Sequence, residues 1–259
     1  MKFGEVVKLN KPDLVISARH EAWLKDNANP IYSPQALEFG KRELMKQAFP
    51  RDRRGTYSAS SLNSCMRRQQ FTFLGMPELR PTAKTASIFQ NGTFMHIRWQ
   101  MEGLTEGWLR EAEAPLPQNL LHLNGTRDGI AHDGSVVELK SINTNGFSRV
   151  NTFGPKEDHL AQVGTYVAAT GAHQAVLIYE DKNTQEYREF VVKGEDLPIA
   201  AIAERSRTIW DMTRAEQLAE PLEKCIDREG YRYNSCPFRN KCLETRDWDH
   251  AREQSSANV

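Results

Sequence analysis

Residues 125–140 read GTRDGIAHDGSVVELK, and the rest of the chain can be arranged around this stretch. Residues 126–132 and 135–141 are short runs that suit β-strands, and Asp133-Gly134 joins them. An Asp-Gly pair between two such runs is a strong hairpin signal, because a type I′ turn needs positive φ at both central residues. The stretch therefore predicts a β-hairpin.

Three charged residues of this hairpin are expected to converge at one end of the sheet. Glu138 and Lys140 are two positions apart on one strand, so their side chains leave the same face. Asp128 lies on the partner strand, where the second strand returns past it. Carboxylate oxygens with room for water suit a hard divalent cation. The same residues are also compatible with a solvated strand face and an ordinary turn. Only the other motifs of the chain can distinguish a metal site from these alternatives.

The composition limits the class of protein to which this chain can belong. The chain has 259 residues, 39% hydrophobic and 26% charged, which is typical of a globular protein able to bury a sizeable core. The formal net charge is zero, so overall charge does not indicate a nucleic-acid partner. Basic residues are locally dense, which fits either a solvated surface or a phosphate-binding groove. They are Arg51, Arg53, Arg54, Arg67, Arg68, Arg80, Lys84 and Arg98.

The cysteines point to metal binding. No apolar run could span a bilayer and the N-terminus lacks a signal-peptide core, so we expect a protein of the reducing cytoplasm. Cysteines in that compartment are metal ligands or core thiols more often than disulfides. Three of the four lie within residues 225–242, and a metal held there needs Cys65 as its fourth ligand. Thiolates suit zinc and an iron–sulfur cluster equally well.

Hydrophobic periodicity predicts an α/β protein with a mixed central sheet flanked by helices. We expect an N-terminal extension over residues 1–56, a core over 57–247 and a frayed polar tail over 248–259. Ser33-Pro34 should start a helix in the extension. The core helices are expected at 57–75, 88–102, 155–170 and 198–217, and strands beside the hairpin at 108–113, 173–180 and 186–193.

Six motifs in this order resemble the PD-(D/E)XK nuclease superfamily over about residues 57–245. Within it they are similar to the RecB-like branch that carries an iron–sulfur cluster, the CRISPR-associated Cas4-type exonucleases, including stand-alone phage versions. The fold expected from the resemblance is the restriction-endonuclease-like α/β fold. The matching segments are SSLNSCMRRQQF, GTFMH, GTRDGI, VVELK, QVGTY and the closing cysteine triplet.

The resemblance also implies residue roles. One Mg²⁺ or Mn²⁺ would be held by Asp128, Glu138, His96 and the Leu139 carbonyl. Lys140 would orient the attacking water or stabilise charge on the phosphoryl oxygens. Gln162 and Tyr166 would touch the DNA backbone or support Lys140. DNA contacts are further expected from Arg67, Arg68 and Arg98.

For the cysteines, the resemblance favours a 4Fe-4S cluster over zinc. Cys65, Cys225, Cys236 and Cys242 would bind it, and it would join the first core helix to the C-terminal region. In one respect the chain departs from the family pattern. The family's triplet commonly begins with a close C-x-x-C pair, whereas ten residues separate Cys225 from Cys236 here and Tyr233 takes the near position.

The function expected from the resemblance is metal-dependent exonuclease activity on single-stranded DNA or free ends. Two alternatives stay open at this point. One is an end-processing endonuclease or adaptation factor that works with an integrase-like partner or with recombination and repair proteins. The other is a non-catalytic DNA-binding module with structural zinc. The sequence does not indicate an oligomeric state.

Overall fold

A computed structural model describes residues 16–27, 29–49, 54–62, 64–117, 121–226, 228 and 230–256. The predictions for residues 1–15, Arg51, Arg53 and residues 257–259 lie outside these ranges. None of the helices described is long and apolar enough to cross a membrane.

The described residues form eleven α-helices and seven strands. The helices are α1 (Ser17–Asp26), α2 (Pro34–Lys46), α3 (Met66–Leu74), α4 (Ala83–Glu106), α5 (Thr144–Phe153), α6 (Glu157–Thr170), α7 (Ile199–Arg214), α8 (Glu223–Ile226), α9 (Gly230–Asn234), α10 (Arg239–Cys242) and α11 (Trp248–Ser256). The strands are β1 (Tyr57–Ser58), β2 (Leu109–Pro115), β3 (Leu123–Asn124), β4 (Thr126–Ala131), β5 (Val136–Ile142), β6 (Gln174–Asp181) and β7 (Tyr187–Lys193).

Five strands form the central sheet in the order β2-β4-β5-β6-β7. Strands β5 and β6 are parallel and the other neighbours are antiparallel. Alternate residues of β5 enter two separate cores: Val136 and Ile142 pack with α6 and α7, whereas Val137 and Leu139 pack with α4. This mixed sheet between two helical layers confirms the restriction-endonuclease-like α/β fold.

The hairpin prediction is confirmed, but the turn is not the expected type I′, because Gly134 has a positive φ and Asp133 does not. Gly134 has φ 87° and its N–H donates to the Ala131 carbonyl at 3.0 Å, while the Asp133 carboxylate accepts from the Ser135 N–H at 2.8 Å. Only the two pairs next to the turn, residues 129/137 and 130/136, stay in register. Beyond them β4 and β5 diverge, and the gap between the two strands is where the predicted site lies.

The helix predicted for residues 57–75 begins later than expected. Tyr57 instead pairs as a parallel strand with Leu123, and both side chains are buried in the core. Ala59–Ser61 is a 3₁₀ turn, and α3 begins only at Met66. The pairing partner of this strand lies 66 positions away in sequence, which a local pattern cannot indicate. Cys65 therefore precedes the helix instead of lying on it.

The N-terminal extension packs against the core. Ser33 caps α2 by accepting from the Ala36 N–H at 3.2 Å, as the Ser-Pro pair predicts. Helix α2 lies along α4, where Gly40 is so close to Met101 that a Cβ would come within 2.5 Å of its sulfur. The Ser17 N–H donates to the Glu189 carboxylate on β7 at 2.6 Å. The extension thus contacts α4 through α2 and strand β7 through Ser17.

Most of the predicted polar tail is a helix. In α11, Trp248 and Ala251 are buried, and Ala251 belongs to a small core with Phe71 of α3 and Phe238. Two apolar residues three positions apart lie on the same face of a helix, which is enough to pack one turn against a core. The polar composition of the remaining residues hid this helix from the sequence analysis.

Candidate active site and cysteine cavity

A cleft of about 820 Å³ lies beside the point where β4 and β5 diverge. It brings the predicted catalytic side chains together from two strands and two helices. Glu138, Lys140 and Ser141 of β5 line it, as does Lys182 directly after β6, because the carboxyl ends of those parallel strands meet at one sheet edge. The predicted residues lining it are His96, Asp128, Glu138, Lys140, Gln162 and Tyr166.

Asp128 is fixed on both of its oxygens. Oδ2 accepts from the Leu139 N–H at 2.7 Å, and Oδ1 lies 3.2 Å from His96 Nδ1. The Gln100 amide also donates to the Asp128 backbone carbonyl at 2.8 Å. Burial opposes the charge on Asp128, but His96, Lys140 and the Leu139 N–H together hold its pKa below the usual range. The carboxylate is ionised and oriented before any ligand arrives.

Glu138 has one satisfied oxygen and one unsatisfied oxygen. Oε1 forms an ion pair with Lys140 Nζ at 2.5 Å, and Oε2 is buried with no hydrogen-bond partner among the described residues. Burial, followed by the charge of Asp128, raises the pKa of Glu138 to about 7. Leaving a buried carboxylate oxygen unpaired is costly. A cation between Asp128 and Glu138 would remove that cost.

A hydrogen-bond chain runs behind Lys140. Its ammonium donates to Gln162 Oε1 at 2.9 Å, Gln162 Nε2 donates to the Tyr166 hydroxyl at 3.1 Å, and that hydroxyl donates to the Thr126 carbonyl at 3.1 Å. Burial disfavours the ammonium, yet Glu138 and then Asp128 raise the pKa of Lys140 above its usual value. Of the two roles expected for Gln162 and Tyr166, this geometry favours support of a charged Lys140.

The Leu139 carbonyl is well placed for its predicted role. In an extended strand the N–H and C=O of one residue point to the same neighbour. The Leu139 N–H points to Asp128, so its carbonyl also faces the gap that β4 has left. Within the described part of the chain no three His, Cys, Asp or Glu side chains already form a metal-holding group. The ligand set therefore stays a prediction, supported by the unsatisfied oxygen of Glu138.

Two cleft residues were missed by the sequence analysis. Glu113 on β2 has φ 49° and accepts from Gln100 at 3.0 Å, and burial, with the Asp128 charge, raises its pKa. Lys182 follows β6 and its backbone N–H donates to the Ile142 carbonyl at 2.9 Å. No carboxylate lies within ion-pair distance of Lys182 among the residues described. Neither residue belongs to a recognisable motif. They reach the cleft only because the sheet order places β2 and the end of β6 beside it.

The structure corrects the expected DNA contact of Arg67. Its side chain is 3% exposed, and its guanidinium donates to the carbonyls of Ala219 at 2.7 Å, Cys242 at 3.0 Å and Thr245. A guanidinium buried among these backbone carbonyls is not exposed to a phosphate at the surface. Arg67 therefore holds the C-terminal segment against α3.

The other two predicted DNA contacts also lie outside the catalytic cleft lining. Arg98 forms ion pairs with Glu102 at 3.3 Å and with Glu180, so two carboxylates compensate its charge. Arg68 lines a second cavity, described next, together with the cysteines. The expected DNA contacts of Arg68 and Arg98 therefore stay predictions.

All four cysteines line one cavity of about 750 Å³. None of the four forms a disulfide, and each is of intermediate burial. Burial raises the pKa of Cys242 to about 11, an effect that Arg67 opposes and Cys65 reinforces. Four soft sulfur donors around one space are chemically suited to a metal or cluster that stabilises thiolates. Cys65, Cys225, Cys236 and Cys242 thus share one cavity, but no three of them already form a group that could hold a metal in the described part of the chain, and the ligand set stays a prediction.

The two cavities adjoin each other. Ser58, Ser60, Phe89 and Gln162 line both of them. Gln162 is the residue that accepts from Lys140, so the cysteine cavity begins one side chain away from the predicted catalytic lysine. The four shared residues form a common wall of the two cavities, and none of them belongs to residues 223–242.

Solved structures share this architecture. An alkaline exonuclease (LHK-Exo) from Laribacter hongkongensis is 20% identical, with a TM-score of 0.50 over 63% of this chain and 90% of that chain. The same enzyme in complex with dAMP is 21% identical, with a TM-score of 0.51 over 63% and 90%. A structure of SSO0001 is 16% identical, with a TM-score of 0.51 over 82% of this chain and 97% of that chain.

The chain has the fold of these structures. At such low identities the likeness concerns the fold, and it carries no residue roles. No protein-family model matches this chain, and no curated protein does. The geometry of the cleft is therefore what indicates a function.

Proposed function

We propose that this protein is a metal-dependent DNA exonuclease that acts on single strands or free ends. The observation that carries the proposal is the buried Glu138 oxygen without a partner, beside the ionised Asp128 and the charged Lys140. The fold shared with the alkaline exonuclease supports a nuclease. The resemblance of the motifs to Cas4-type exonucleases supports the choice of single strands and ends.

Asp128, Glu138, His96 and the Leu139 carbonyl would hold one Mg²⁺ or Mn²⁺. When bound, such an ion acidifies a water molecule and screens the charge of the scissile phosphate. Asp128 needs no reorganisation for this role, because the Leu139 N–H fixes its Oδ2. Its Oδ1 contact with His96 Nδ1, at 3.2 Å, keeps the imidazole at the same spot.

Lys140 supplies the positive charge of the site. Its ammonium is held between Glu138 Oε1 and Gln162 Oε1, at 2.5 and 2.9 Å. A donor fixed in this way can stabilise charge that builds on the phosphoryl oxygens without reorganising during the reaction. Tyr166 keeps Gln162 in place through the bond to its hydroxyl. These side chains are already held in place, so the proposed hydrolysis needs little rearrangement of the protein.

For the second cavity we propose a 4Fe-4S cluster bound by Cys65, Cys225, Cys236 and Cys242, with structural zinc as the alternative. Bound there, the cluster supplies no redox step to hydrolysis and acts as a clip, so its binding free energy becomes folding free energy. Four cysteines that form no disulfide are compatible with the reducing cytoplasm, where we place the protein.

Cleavage of defined DNA substrates tests the proposal. Purified protein should degrade linear single-stranded DNA with Mg²⁺ or Mn²⁺, leave circular single-stranded DNA intact, and lose activity in chelator. Ca²⁺ should bind without supporting turnover, because it prefers looser and higher coordination. Robust cleavage in excess chelator would exclude the metal mechanism.

The same assay separates the alternatives. Cutting of circular DNA would identify an end-processing endonuclease, of the kind that works with an integrase-like partner. DNA binding without cleavage under any metal would identify a non-catalytic binding module. Degradation restricted to linear DNA supports the exonuclease.

A further inference from the structure

Gly92 is a glycine in the middle of α4 that packing does not require. A Cβ at this position would meet no atom within 4 Å among the described residues, and Gly92 lines the catalytic cleft. Other helical glycines are different: a Cβ at Gly103 would lie 2.6 Å from Trp108, and one at Gly164 would lie 2.7 Å from Ile202. Glycine inside a helix is destabilising relative to alanine. The open space at Gly92 therefore indicates that something outside the chain approaches the helix there.

Phe89 adds an aromatic surface on the same face of α4. It precedes Gly92 by three positions and His96 by seven, which places all three on one face. Its side chain is 64% exposed although it lines both the cleft and the cysteine cavity. An exposed aromatic ring at the mouth of a polar cleft can stack on a flat ligand, and nucleobases are such ligands.

Lys182 provides charge at the end of the parallel strands. It lines the cleft where Ser141 also does, and no carboxylate pairs with it among the described residues. Lys140, by contrast, is committed to Glu138 and Gln162. Lys182 is thus the lysine of the cleft lining with donors to spare for a further phosphate.

We infer that an unpaired DNA strand lies along this face of α4. Its backbone passes over Gly92, one base stacks on Phe89, and a phosphate next to the scissile one pairs with Lys182. The strand must be unpaired at this point, because a base inside a duplex has both of its faces covered by its neighbours. This inference rests on the proposed function and names the residues that select the substrate.

Gly92→Ala is the sharpest test of the inference. A methyl group there improves the helix and clashes with nothing in the chain, so the Tm should stay the same or rise by about 2–4 °C. The affinity for a fluorescein-labelled single-stranded dT oligonucleotide, measured by anisotropy in EDTA, should fall at least about fivefold. The neighbouring exposed Asn91→Ala is the matched control and should bind as wild type does. A lower Tm accompanying the weaker binding would assign Gly92 to packing and overturn the inference.

Phe89→Ala tests the stacked base. Its affinity for the single strand should fall about 5- to 100-fold, whereas the affinity for a blunt duplex should change much less. Phe153→Ala removes another exposed phenylalanine, 76% exposed on α5 and outside the cleft lining, and should have no effect. Equal binding by the two variants would overturn the inference.

Lys182→Ala tests the phosphate contact through its salt dependence. Binding should weaken, and the slope of log affinity against log salt should decrease by about 0.7, the value for one phosphate contact on a single strand. An unchanged slope would remove Lys182 from the interface. If the wild type binds and cleaves DNA while all three variants bind normally, only this inference fails. If the wild type does not bind DNA at all, the proposed function fails with it.

Discussion

The catalytic cleft and the cysteine cavity share a wall but are assembled in different ways. The cleft's charged residues come from neighbouring elements, and each is fixed by a bond to the next: Asp128 to the Leu139 N–H, and Lys140 to Gln162. The cysteine cavity joins parts of the chain that are far apart, since Cys65 and Cys242 are 177 positions apart. The first site is built into the sheet, and the second is a junction between distant segments.

The junction is held unevenly. On one side, Gln70 accepts from the Ala219 N–H at 2.8 Å and donates to the Gln217 carbonyl at 2.9 Å, beside the bonds of Arg67. On the other side, α8, α9 and α10 have four, five and four residues. Helices this short are not stable by themselves. Loss of a bound group should therefore leave the cleft formed but loosen residues 223–242.

Lys140→Ala should give the largest effect and should affect only the cleft. Cleavage of linear single-stranded DNA should fall by about 10²–10³-fold, because Lys140 acts on charge that develops in the transition state. DNA affinity should stay within about threefold of wild type, which anisotropy can measure. The colour and the protease resistance of residues 223–242 should not change. A parallel loss of binding would make Lys140 a ground-state phosphate anchor instead.

Cys65→Ala should break the junction. We expect anaerobically purified wild type to be brown with broad visible absorbance, and the variant to be colourless and cut faster by protease near residues 220–245. Alanine at Cys236 or Cys242 should do the same. Cys225→Ala is the most informative of these variants, because ten residues separate Cys225 from Cys236. Full colour in that variant would mean that Cys225 is not a cluster ligand. A colourless wild type containing zinc would exclude the iron–sulfur cluster and leave the nuclease proposal in place.

Arg67→Ala should weaken the junction from the protein side. Three buried carbonyls would lose their donor, so the free energy of unfolding should fall by about 2–4 kcal/mol. Arg68→Ala is the matched control, since Arg68 is only partly buried, and it should change that free energy by less than about 0.5 kcal/mol. Urea denaturation measures both. Weaker DNA binding by Arg67→Ala without any loss of stability would restore its predicted DNA contact.

Tyr166→Phe should have the smallest effect. It removes the hydroxyl that accepts from Gln162 and donates to Thr126, so Lys140 keeps its charge but loses part of its support. Cleavage should fall by about 3- to 10-fold with unchanged DNA affinity, as expected for a residue that acts through another. Measured kcat and KM separate the two quantities. A rise in KM alone would indicate direct contact with DNA.

Predictions that depend on near neighbours in sequence agree with the structure. The Asp-Gly turn, the common face of Glu138 and Lys140, and the one-turn spacing of Gln162 and Tyr166 follow from local geometry. The start of α2 at Ser33-Pro34 does as well, because a cap involves only the first turn. The predictions that differ concern Tyr57, Arg67 and α11. In each case a contact more than 60 positions away decides the outcome.

The sequence by itself determined the order of the five central strands along the chain and the identity of the charged residues at the diverging strands, because periodicity and turn chemistry act over a few residues. The tertiary structure alone decided how the charge of each basic residue is compensated. It buried Arg67 under backbone carbonyls, paired Arg98 with two glutamates, and left Lys182 beside the cleft. The physical reason is that desolvation and pairing of a charge depend on the elements packed around it, and those come from distant parts of the chain.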